Sequence, residues 1–85
     1  MKSAVKRAER KDLFEILRQR TGALYISDLR YSPYRERAIH LAAQENAENH
    51  SRREWNDALE YLLFHAGCAT VEEARQLFVK ADERL

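Results

Sequence analysis

Residues 51–66, SRREWNDALEYLLFHA, decide the fold class. They open on Ser51-Arg52-Arg53-Glu54, the spacing of a capping box. In that motif the Ser51 hydroxyl accepts from the backbone N–H of Glu54, and the Glu54 carboxylate reaches back to the N–H of Ser51. Trp55, Ala58, Leu59, Leu62 and Ala66 then recur at three- and four-residue steps and form one helical stripe, with Leu63 beside it. Tyr61 and Phe64 fall on the opposite side. A helix over 51–66 is therefore apolar on more than one face. It either lies at the centre of a bundle or presents Tyr61 and Phe64 to a partner.

The flanking sequence supplies more helices of the same kind. Ala66-Gly67 closes the central one, and Thr70-Val71-Glu72-Glu73 repeats the capping box. Val71, Ala74, Leu77, Phe78, Ala81 and Leu85 continue at the helical period, which predicts a helix docked through to Leu85. Upstream, Ser32 suits an N-cap and Pro33 the first helical position. Tyr34, Ala38, Leu41 and Glu45 share a side there, flanked by Ile39 and Ala42, and the pattern dissolves over 44–50. A first helix is expected over 4–20, anchored by Leu13, Ile16 and Leu17 and closed by Thr21-Gly22. Residues 23–31 read as an extended connector with a turn, pinned by Leu24, Ile26 and Leu29. The expected core is Leu13, Leu17, Leu41, Trp55, Leu59, Leu62, Leu77 and Phe78.

Composition agrees with an all-α chain. Leu, Ile, Val and Phe make up 19 of the 85 residues, enough for a small core but close to the disorder boundary. Two glycines and one proline leave too few turn residues for a many-stranded sandwich. The length excludes a β/α barrel and a doubly wound sheet. The expected architecture is a single helical domain over 1–85. It is a small helical bundle of three long helices plus a shorter or irregular second element.

The net charge of +1 hides an asymmetry. Residues 1–20 carry seven basic and three acidic side chains, whereas residues 44–85 carry five and nine. The lone cysteine, Cys68, excludes an internal disulfide and fits a reducing compartment, so a cytoplasmic location is expected. The basic start, Met1 to Arg7, leads into Glu9 and Asp12 and not an apolar core, so no secretory leader is expected. No stretch approaches the roughly 18 apolar residues of a membrane span.

Enzyme chemistry finds little support. His65 and Cys68 have a spacing that can serve one metal ion, but a structural zinc needs four ligands and His40 and His50 lack companions at ligand spacing. As a nucleophile pair they lack an oxyanion-hole signature, and a helix C-terminus disfavours a thiolate. There is no glycine-rich phosphate loop. The expectation is a non-enzymatic chain with no metal and no cofactor.

Two binding readings remain. Arg7, Lys11, Phe14 and Arg18 make one stripe on the first helix, and Arg30, Tyr31, Tyr34, Arg35 and Arg37 make a second cluster. Arginine forks onto phosphate and tyrosine stacks on a splayed base, so this surface fits a small DNA- or RNA-binding regulator. Arg and Tyr are equally enriched at protein hot spots. A pI near 7.9 is low for a chain that coats nucleic acid. The favoured expectation is therefore a protein-binding adaptor or inhibitor that occludes a site on a larger protein or nucleoprotein machine. Its hot spot is Arg30, Tyr31, Tyr34, Arg35 and Arg37, supported by Arg7, Lys11 and Arg18, with Tyr61 and Phe64 as a second patch. Homo-oligomer formation through the third or fourth helix is compatible with this. Accessory proteins of phages and mobile elements, including anti-CRISPR inhibitors, share this size and character, an analogy of type that no single residue carries.

Overall fold

A computed structural model describes residues 12–85. Among them are four helices and no strand: α1 (Leu13–Thr21), α2 (Tyr34–Gln44), α3 (Arg52–Ala58) and α4 (Val71–Glu83). Single 3-10 turns occupy Ile26–Arg30 and Ala47–Asn49, and a π-helical turn, Leu59–Leu63, continues α3. The expected all-helical class holds. The expected order of lengths does not, because α2 and α4 are the longest helices and α3 is interrupted.

At α1 the chain is extended at Asp12, whose carboxylate accepts from the N–H of Glu15 at 2.9 Å. Asp12 is thus the N-cap, and α1 begins at Leu13. Residues 4–11, with Val5, Arg7 and Lys11, lie outside the described residues. The helix closes at Gly22 with φ 85°, a left-handed position that favours glycine. In the connector that follows, the structure buries Ala23 and Leu29 but exposes Leu24, Tyr25 and Ile26. The reason is local. Asp28 accepts from the N–H of Tyr25, and the 3-10 turn this starts turns Leu29 into the core.

The start of α2 also differs from expectation. Pro33, not Ser32, takes the N-cap position, after a cis Ser32–Pro33 bond. The Ser32 hydroxyl donates to Glu36 at 2.6 Å in place of accepting from the backbone. The inward face is Ala38, Ile39, Ala42 and Ala43, while Tyr34 and Leu41 lie half-buried at its edge. Three alanines on that face let α4 approach closely, and α2 against α4 is the most extensive helix pairing.

In α3, Ser51 accepts from the N–H of Glu54 as expected, but the Glu54 carboxylate turns elsewhere. Its Oε1 accepts from the N–H of Leu13 at 2.9 Å and faces His50 Nδ1 at 3.2 Å. The helix expected to reach Ala66 ends earlier, because Phe64 is left-handed (φ 54°). The loop beyond is clamped by Asn56, whose side chain accepts from Cys68 N–H at 2.7 Å and donates to Cys68 C=O at 3.2 Å. Gly67 permits this, since a Cβ there would lie 2.8 Å from Asn56.

The box at α4 forms in both halves, with Thr70 accepting from Glu73 N–H and Glu73 accepting from Thr70 N–H. Ala74 and Phe78 are buried, Leu77 is half-buried, and Leu85 is exposed beyond the end of the helix, contrary to its expected docking. The core centres on Trp55, which packs against Phe78 with ring centroids 5.9 Å apart and donates from Nε1 to Ala47 C=O at 2.8 Å. Six of the eight expected core residues are buried, and Leu41 and Leu77 pack at its margin. Among the described residues no helix is long and apolar enough to cross a membrane.

One acidic contact gives a pH prediction. Arg75 bonds Glu72 at 2.8 Å, and its Nη1 donates to Ala43 C=O at the end of α2. Bonds from Arg75 and then Gln76 pull the Glu72 carboxyl down to about 2 from its ordinary 4.5. A depressed carboxyl stabilises the fold above its unfolded value and stops doing so as pH falls through its folded value. Glu72→Gln should therefore be less stable than the parent by a constant amount above pH 4.5, with the gap closing towards pH 2. Paired thermal melts across that range check it, and a gap that stays constant down to pH 2 contradicts it.

Candidate functional site

Helix ends leave up to four carbonyls without intrahelical partners. This fold satisfies several of them with arginines from elsewhere in the chain. Arg37 donates to Thr21 C=O at 3.2 Å, closing α1. Arg35 Nε donates to Leu62 C=O at 3.1 Å, inside the π turn. Arg75 closes α2 through Ala43. Arg18 forks onto Glu15 and donates to Ala23 C=O at 3.2 Å. Three of the arginines expected to face a partner are thus tied into the fold.

The expected hot spot is therefore divided. Arg37 also covers the half-buried Tyr34 ring, with its guanidinium 5.8 Å from the ring centroid. Arg35 faces the π turn. Arg30 goes a third way and lies over Tyr61 at 5.0 Å and Phe64 at 5.7 Å. Phe14 meets Tyr61 edge to face at 5.4 Å. Residues read as three separate features, Phe14, Arg30 and the Tyr61–Phe64 pair, thereby form one surface. Asp57 and Glu60 line the same depression, of about 440 Å³. Tyr31 follows directly on the turn that carries Arg30 and is 68% exposed.

Phe64 is the unusual member. It is a bulky residue at positive φ, directly after a π-helical turn, and it is 71% exposed. Left-handed non-glycine residues and π turns are both enriched at functional sites. Nothing in the sequence marks its backbone. The expected helix through 66 would have placed Phe64 in an ordinary helical turn.

The sequence reading also missed the Leu24-Tyr25-Ile26 exposure and a set of basic residues around α4, namely Lys80 and Arg84 with His65. Lys80 and Arg84 are one helical turn apart, and that spacing was the available signal. His65 and Cys68 are engaged locally. His65 Nδ1 lies 2.6 Å from Ala66 C=O, and the Cys68 backbone is held by Asn56. Among the described residues no three His, Cys, Asp or Glu side chains cluster as metal ligands. No protein family, curated protein or solved structure matches this chain.

Proposed function

We propose that this chain is a non-enzymatic protein-binding module, an adaptor or inhibitor that occludes a site on a larger protein or nucleoprotein machine. The observation that supports this reading is Phe64, held in a costly left-handed conformation with its ring exposed and Arg30 stacked over it. A non-glycine residue in that conformation costs roughly 1–2 kcal/mol. A strained residue whose side chain packed nothing and served nothing would readily be a glycine. An exposed aromatic flanked by Arg and a second aromatic matches the composition of interface anchors. Direct DNA or RNA binding is the rival reading. Arg18, Arg35 and Arg37 serve it less well than their sequence positions suggested, because each already holds a carbonyl.

Phe64→Gly separates the two roles of that residue. It should raise the thermal midpoint by a few degrees, through release of strain, and abolish partner retention. The assay is a pull-down from lysate with tagged parent and variant, each split into nuclease-treated and untreated halves. A discrete protein kept after nuclease by the parent and lost by Phe64→Gly and Arg30→Ala supports the reading. Retention that vanishes with nuclease transfers the case to nucleic acid. A variant that binds like the parent removes Phe64 from the interface.

A further inference from the structure

A groove of about 370 Å³ lies between α2 and α4, closed at one end by the segment after the π turn. Leu63 and Leu77 contribute to its apolar floor. Arg35, His65, Lys80 and Arg84 surround it, and no acidic side chain among the described residues lines it. Of the two acidic side chains beside Arg84, Asp82 is tied to His40 at 3.1 Å, and Glu83 is exposed and does not line the groove. Among the described residues neither Lys80 nor Arg84 has an ion-pair partner. Arg35 adds a preset donor. Its Nε donates to Leu62 C=O at 3.1 Å, and that bond uses one of its five N–H donors and leaves the Nη donors to a partner. An anchored guanidinium loses less freedom when it takes up a carboxylate.

We infer that this groove docks an acidic peptide segment carrying one large apolar side chain. Its carboxylates meet Arg35, Lys80 and Arg84, and its apolar anchor rests on Leu63 and Leu77. Charge complementarity names the partner, since a rim of one sign calls for the opposite sign. The floor excludes nucleic acid as the better occupant. A phosphodiester has no use for leucine, and no Phe, Tyr or Trp ring lines the groove to stack a base. This surface shares no residue with the Arg30–Phe64 patch, so either can fail alone.

The test is an amide NMR titration of the full chain with a blocked eight-residue peptide of glutamates flanking one leucine and one phenylalanine. Two controls are an all-glutamate octamer and an eight-nucleotide oligothymidylate. The expected result is saturable shifts at Leu63, Leu77, Lys80 and Arg84 with the apolar-anchored peptide. Binding should be weaker by roughly tenfold in the double variant Lys80→Glu, Arg84→Glu, and unchanged in Phe64→Gly. Both replaced residues are exposed, so the double variant keeps its fold and its thermal midpoint confirms that. Three results overturn the inference: no saturable shift, equal binding by either control, or a double variant within twofold of the parent.

Discussion

Trp55→Ala lowers the thermal midpoint by roughly 15 °C or more, the largest loss expected from any single substitution in this chain. Trp55 is fully buried, stacks obliquely on Phe78 and edges His50 at 6.2 Å. Removing a buried tryptophan costs about 3–5 kcal/mol, and loss of its indole N–H also leaves Ala47 C=O without a donor. A chain of this size has only about 4–13 kcal/mol in total. Trp55→Phe isolates the two contributions. It keeps most of the ring volume, loses the bond to Ala47, and should fall between parent and alanine variant. Circular-dichroism melts of the three proteins decide the matter. A midpoint for Trp55→Ala within a few degrees of the parent would show that the core is not organised around this residue.

His50→Ala should be the second most damaging change, through polar groups and not volume. The His50 side chain is 2% exposed and lies between two carboxylates. Its Nε2 is 2.6 Å from Glu45 and its Nδ1 3.2 Å from Glu54. The same Glu54 oxygen accepts from Leu13 N–H, so one histidine joins the end of α2, the cap of α3 and the first turn of α1. Without the ring, two partly buried carboxylates face each other's side of an empty site. The expected loss is about 2–4 kcal/mol by urea unfolding. Glu54→Gln, which keeps an oxygen for Leu13, should lose about 1 kcal/mol. Hydrogen exchange at the Leu13 amide should speed up in Glu54→Ala and stay slow in Glu54→Gln. A His50→Ala variant within about 0.5 kcal/mol of the parent would remove the network as a source of stability.

His50 shows why part of the site and fold could not be read along the chain. Seen as sequence, it was a lone histidine in a polar run. Its partners lie five residues before it and four after, across a 3-10 turn that brings Glu45 and Glu54 to one point. Glu54 presents the same difficulty. Its spacing from Ser51 matched a capping box, and half of the box formed, but the nearby unsatisfied N–H of Leu13 took the carboxylate. The Leu24–Ile26 expectation failed for a related reason. Alternation identifies an apolar face only when the backbone is extended, and a side-chain bond from Asp28 made it a tight helical turn. The aromatic surface was legible as types and not as a place. Phe14, Arg30, Tyr61 and Phe64 were each singled out, and the packing of α1 and the 26–30 turn against the π turn joined them.

The sequence by itself determined the helical class, the caps at Ser51 and Thr70, the stop at Gly22 and most of the core. Each rests on contacts within about one turn, or on a period that any amphipathic helix must keep. Only the tertiary structure decided which arginines are free. Arg37, Arg35 and Arg75 reach carbonyls 16, 27 and 32 residues away in the chain. A long, five-donor side chain takes whichever unsatisfied helix end packing brings near it, and no local spacing records that choice. Arg30 on its aromatic pair, and Lys80 with Arg84 beside their groove, are among the described basic side chains that no such carbonyl takes up.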